Sequence, residues 1–338
     1  MAISIMETMH PVFETLALSF AYHNKDTITE RAIKALDDMG FDGEALVLGK
    51  LEYMKDYLGD FGRNFQPHSE DDLFFGGSDT GFFTIPALVL MEQPRCLTEL
   101  DRLSRRELRQ FFVEILSEEE VDADEDKEME LTDCVRFIAA LDVEDDIKWR
   151  ILQLFRDPHH YLRALIEIYR DNRAAYEEAA KNQEAIFQQR MANFQDNFSS
   201  SYLELMEKLA PDAVIYPSLA APLAEFIGFK VSIYGLFLDE LPDWDGSGEK
   251  AKENLLVVLK AMSDKSKFEI LSSLKENPKY NLEIARDVGL TAATTSHHMN
   301  TLLSCGLVTV EKRDGRVYYQ LVDKEVELAI EHLKKYLL

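Results

Sequence analysis

Between Asn281 and Cys305 the sequence permits few folds. Asn281-Leu-Glu-Ile-Ala-Arg-Asp-Val288 puts Ile284, Ala285 and Val288 on one face of a short helix, with Asn281 as its cap. Gly289-Leu290 follows as a tight turn with an apolar plug. Thr291 then caps a longer helix that runs to about Cys305 and stops at Gly306. Thr295, Met299, Leu302 and Leu303 share the inward face of that second helix. A short helix, a glycine turn and a second amphipathic helix make a helix-turn-helix. This arrangement sets the second helix proud of the surface, free to enter a groove about 12 Å wide.

The flanks extend the pattern. Upstream, Glu249 to Met262 carries Leu255, Leu256, Val258, Leu259 and Met262 at helical spacing. Ser263-Asp264 offers capping oxygens to a helix whose apolar face is Phe268, Ile270, Leu271 and Leu274, ended by Asn277-Pro278. Downstream, Leu307–Lys312 and Val317–Val322 are β-rich runs around an Asp-Gly turn, the signature of a hairpin. The three elements together form a winged helix.

The outward side of the second helix is Ala292, Ala293, Thr294, Ser296, His297, His298, Asn300 and Thr301, with no Asp or Glu. The hairpin tip bears Lys312, Arg313 and Arg316. The candidate DNA-binding residues are therefore Thr291, Ala293, Thr294, Ser296, His297 and Asn300 for bases, and Lys312, Arg313 and Arg316 for phosphates or a minor groove.

Charge locates the same segment. The 338-residue chain carries a net charge of −25, which as an average argues against polyanions. Residues 249–338, however, hold 14 Lys and Arg against 13 Asp and Glu, leaving 23 against 49 in the first 248 residues. The acidic part repels phosphates, so any contact with duplex DNA falls to the C-terminal segment.

Residues 250–338 resemble the ArsR-type winged-helix regulators. The resemblance is carried by Leu259-Lys-Ala-Met-Ser-Asp-Lys-Ser-Lys-Phe-Glu-Ile-Leu271, by Leu290-Thr-Ala-Ala-Thr-Thr-Ser-His-His-Met299, and by Leu302-Leu-Ser-Cys-Gly-Leu-Val308 with the basic hairpin after it. It implies a homodimer paired through residues 255–262 and 324–337, with two recognition helices about one DNA turn apart on a palindromic operator. Many members sense metals, and here the sequence departs from them. The helix from Asn281 to Val288 has no cysteine, and the last helix offers only His332 beside Glu327, Glu331 and Asp323. Divalent metals need three or four ligands at fixed geometry, which neither set assembles, so no metal site and no cofactor are expected.

The resemblance covers residues 250–338 alone, and the rest of the chain is read from its pattern. Pro242-Asp-Trp-Asp-Gly-Ser-Gly248 is turn-forming and reads as a linker between an acidic domain, 1–241, and the winged-helix domain, 249–338. The first domain reads as mainly helical at Glu30–Met39, Gly43–Phe61 and about His159–Leu209. A small β element is expected at Ala213–Tyr216 and Lys230–Leu238. The expected fold class is mostly α. Asp122, Asp124 and Asp126 imitate the start of a calcium loop, but Lys127 stands where that loop needs glycine, so Ser117–Glu130 reads as a solvated acidic loop. His159-His160 reads as a helix start. Phe187, Phe194, Phe198 and Tyr202 read as a core stripe.

No sequence pattern of a catalytic site appears, and no apolar run of the roughly 20 residues a membrane helix needs. Three scattered cysteines, Cys96, Cys134 and Cys305, fit a reducing cytoplasm. The expectation is a cytoplasmic, homodimeric, sequence-specific regulator of transcription, a repressor rather than an enzyme. Its N-terminal domain is expected to respond to a small-molecule effector. The alternative is a winged-helix protein-interaction module without DNA binding.

Overall fold

The computed structural model of the chain describes residues 4–39, 41–76, 82–116, 131–141, 145–197, 206, 210, 212–228, 230–241, 251–313 and 316–337. The acidic run 117–130, the turn-forming stretch 242–248, Phe198 and Tyr202 lie outside them. The chain divides into two compact units. One comprises Met1–Thr29 and Leu48–Leu238, the other Glu30–Val47 and Asp239–Leu338.

The first unit is mostly helical. It is built on α1 (Pro11–His23), of which every residue from Val12 to Ala21 is buried. A helix apolar nearly all round has to sit inside, and its few polar side chains need internal partners. Thr15 and Ser19 bond back to the carbonyls of Pro11 (2.7 Å) and Thr15 (2.8 Å). Next along the chain come α2 (Ile28–Met39), which passes into the second unit, and α3 (Tyr53–Gly62). Where the sequence suggested one helix over Gly43–Phe61, a π-helical stretch at Ala45–Lys50 precedes α3. The helices α4 (Asp71–Phe75), α5 (Thr84–Glu92), α6 (Arg95–Glu99), α7 (Arg105–Leu116), α8 (Leu131–Ala140) and α9 (Asp145–Arg156) follow. Asp157 caps the long α10 (Pro158–Asn182), and α11 (Glu184–Asn197) comes after it. His159 sits at that helix start, its Nε2 2.8 Å from the Leu103 carbonyl oxygen. Phe187 and Phe194 are buried, as a core stripe requires.

The small β element is larger than its sequence signal. Strands β2 (Val214–Ser218) and β4 (Val231–Gly235) pair in parallel, close to the expected runs. They are flanked by β1 (Ser4–Ile5), parallel to β2, and β3 (Glu225–Ile227), antiparallel to β4. Pro217 lies in β2 without disrupting β1, because that strand extends only to Ile215.

At the end of β2, Glu14 is fully buried and accepts hydrogen bonds from the Ser218 hydroxyl, the Ala220 N–H (3.1 Å) and the Tyr57 hydroxyl (3.2 Å). Burial raises its carboxyl from 4.5 to about 7, against the opposing pull of those donors.

The second unit contains the winged helix: α12 (Ala251–Ser263), α13 (Lys265–Leu274), β5 (Lys279–Tyr280), α14 (Asn281–Val288), α15 (Ala292–Ser304), β6 (Val308–Arg313), β7 (Arg316–Leu321) and α16 (Asp323–Leu337). The three strands form an antiparallel sheet ordered β5-β7-β6. Residues 30–47 also belong to this unit, where Lys260 Nζ donates to the Asp37 carbonyl at 2.7 Å. The core gathers Ile270, Leu271, Leu274, Ile284, Ala285, Met299, Leu302, Leu307 and Val310. Each such side chain contributes about 1.5–3 kcal/mol by leaving water. Phe268, expected on the inner face of α13, is instead 55% exposed. Leu271, three residues on, is buried, as is Ile270.

Candidate nucleic-acid interface

The helix-turn-helix is fixed by local chemistry. Asp264 caps α13 through the Lys267 N–H at 2.9 Å. That bond, together with the nearby charges of Lys267 and His298, holds the Asp264 carboxylate below its ordinary range. Gly289 adopts φ +70°, a left-handed conformation that glycine takes at least cost, and Leu290 N–H closes the turn on the Ala285 carbonyl at 3.0 Å. Thr291 caps α15 as expected, its hydroxyl accepting from the Thr294 N–H at 3.1 Å. Gly306, at φ +65°, ends that helix.

Along α15, Thr295, Met299 and Leu302 point into the core, while Thr291, Thr294 and Asn300 are exposed. From Thr291 to Ser304 there is no carboxylate. Ser296 and His298 are half-buried, so the outward face is narrower than the sequence suggested. His298 lies near Asp264. The side chains of Ala293, His297, Lys312 and Arg313 fall outside the described residues, although their backbones lie on α15 and β6.

The wing is a regular hairpin in which Arg313 pairs with Arg316 across residues 314–315. Arg316 is exposed, and its guanidinium sits 5.2 Å from the centre of the Tyr280 ring. The one carboxylate at the end of α14, Asp287, is bound by Lys279 Nζ at 2.6 Å, which keeps it ionised below the ordinary range.

One residue that sequence reasoning placed differently is Asn281. It was expected to cap α14, but Tyr280 occupies the N-cap and Asn281 is the first helical residue, 9% exposed. Its amide donates to Ser296 Oγ at 2.8 Å and to the Ala292 carbonyl at 3.3 Å, so it links the two helices of the motif. A polar side chain at the buried start of a helix was the available signal.

Comparison with known proteins agrees with this geometry. The profile of the family described as bacterial regulatory protein, arsR family, matches residues 264–310, from the cap of α13 to the middle of β6. The transcriptional activator HlyU of Vibrio cholerae is 32% identical over 87 residues, covering 26% of this chain and 81% of HlyU. This chain belongs to the arsR family. The HTH-type transcriptional regulator CmtR of Mycobacterium tuberculosis is 31% identical over 74 residues, 22% of this chain and 63% of CmtR. The same figures hold for CmtR of Mycobacterium bovis. No solved structure matches the chain.

This arsR-family chain is several times longer than the region it shares with either relative, and all of the matched family region lies in its second unit. Among the described residues no three His, Cys, Asp or Glu side chains gather as a metal site. Nor is any described helix long and apolar enough to cross a membrane.

Proposed function

We propose that this chain is a homodimeric, sequence-specific DNA-binding regulator of transcription. The observation that carries the reading is the carboxylate-free exposed face of α15, with Thr291, Thr294 and Asn300 open to solvent, in a unit whose wing presents Arg316. In a chain of net charge −25, a helix without a single acid is suited to a polyanion. Thr294, Ser296, His297 and Asn300 meet base edges, with Thr291 and Ala293 at the entering end. Lys312, Arg313 and Arg316 hold phosphates and set register.

Dimerisation is supported by apolar side chains left open on two helices that pack on each other. Leu256 on α12 is 58% exposed, and Ile330 and Leu337 on α16 are 45% and 75% exposed. A second copy covering them would place two recognition helices on a palindrome.

Repression is the proposed output, because a dimer seated across a promoter excludes polymerase. A reporter under the chain's own promoter tests it directly. The effector reading attaches to the first unit. There an open cleft of about 390 Å³ brings Tyr22, His23, Phe65, His68 and Asp71 together, hydrogen-bonding groups beside aromatic rings.

Selection of bound duplexes from a random pool is the decisive experiment. The expected result is a palindromic consensus with half-sites one turn apart. Recovery of no duplex would move the reading to a winged-helix protein-interaction module.

A further inference from the structure

The two proposed DNA-contacting elements meet at adjacent residues. Tyr280 faces the wing: it pairs with Tyr318 across β5 and β7, and the two rings meet edge to face at 5.8 Å. Its ring also carries the Arg316 guanidinium at 5.2 Å. Asn281, the next residue, serves the recognition helix instead, through Ser296 Oγ and the Ala292 carbonyl. The Glu283 carboxylate accepts from the Tyr280 N–H at 3.3 Å and so stiffens the step between them.

Neighbouring Cα atoms stand about 3.8 Å apart across a trans peptide, so the two contacts spring from one short stretch of backbone. Base readout depends on hydrogen-bond geometry set within a few tenths of an ångström, and on phosphate contacts that hold the protein in register. A corner that ties the base-reading helix to the phosphate-holding cation therefore controls both.

We propose that Tyr280 and Asn281 form a positioning corner, in which Asn281 aligns α15 for base reading and Tyr280 holds Arg316 for phosphate contact, neither touching DNA. The inference rests on the DNA-binding reading above. It also gives Ser296 a second duty: its oxygen accepts from Asn281, while its hydroxyl proton and a second lone pair remain to meet a base.

The test is a double-variant cycle, read as the ratio of affinities for the selected duplex and a scrambled one. Asn281→Ala is expected to lower that ratio about tenfold, the order of one good base contact, with scrambled-duplex affinity and salt slope unchanged. Ser296→Ala combined with Asn281→Ala is expected to lose no more than Asn281→Ala alone. On the wing side, Tyr280→Leu is expected to weaken both duplexes by a common factor and flatten the salt slope. Tyr280→Phe, which keeps the ring under Arg316, restores the parent's behaviour.

Additive losses in the cycle, or a Tyr280→Phe variant as impaired as Tyr280→Leu, would overturn the corner while the DNA reading stands. A parent that discriminates between no duplexes would overturn the DNA reading and the corner with it. Hydrogen exchange at α14 and α15 separates lost alignment from lost folding. The Ser296→Ala arm and the Tyr280 pair still decide the matter if Asn281→Ala does not fold.

Discussion

Glu14 contributes a loss of stability to the first unit as pH rises, and Glu14→Gln should remove that contribution. Its carboxyl titrates near 7 in the folded chain, against an ordinary value of 4.5. Between these values the folded chain holds a proton that the unfolded chain has released, so raising the pH through the window favours unfolding. A difference of about 2.5 units at about 1.4 kcal/mol each gives a loss of about 3 kcal/mol, complete above about pH 7. Nothing offsets it by exposure, because Glu14 is 0% exposed. Glutamine keeps the shape and an acceptor oxygen, and its N–H groups can donate to the Ser218 or Tyr57 hydroxyl oxygen. Parent and variant should match near pH 5, while at pH 8 the variant should melt roughly 6–12 °C higher for a unit of this size. Calorimetry from pH 5 to 8 measures this, and hydrogen exchange at the α1 amides assigns the change to the first unit. Parallel curves for the two proteins across that range would refute the reasoning.

Other outcomes follow from the second unit. Gly289→Ala adds a methyl group that meets nothing within 4 Å, so its cost is the left-handed backbone alone, about 1–2 kcal/mol in denaturant unfolding. A loss of 4 kcal/mol or more would show a packing role instead. Ile330→Glu places a charge on the exposed face of α16 and should yield monomers by light scattering while the fold persists; an unchanged oligomeric state would move the dimer interface elsewhere. Replacing Thr294 and Asn300 with alanine should cost discrimination between duplexes, by about 1–3 kcal/mol for each base edge no longer read. Replacing Arg313 and Arg316 should weaken all duplexes alike and lower the salt slope by about one per phosphate neutralised. The two pairs giving the same pattern in competition assays would contradict this division of roles.

What the sequence makes legible here is what local chemistry decides. Asp264 and Thr291 cap the helices they precede because a side-chain oxygen needs only the N–H groups of the next turn. Gly289 marks the turn because few other residues take a positive φ readily. The missed features depend on partners far along the chain. Ser4 pairs with Val214, and no pattern in two residues announces so distant a neighbour. The helix α2 is amphipathic, but amphipathicity does not say which unit will cover the apolar face. Phe268 lies on the right helical period and is still left exposed, which periodicity alone does not foretell. Asn281 has the composition of a cap and the environment of a buried linker. Only the neighbouring helix distinguishes the two.

Equilibrium binding of the parent chain to its selected duplex and to a scrambled one, across about 50–200 mM salt, tests the central claim most directly. The selected duplex should be held at least about a thousandfold more tightly, with both affinities falling steeply as salt rises. Equal affinities for the two duplexes at every salt concentration would contradict it.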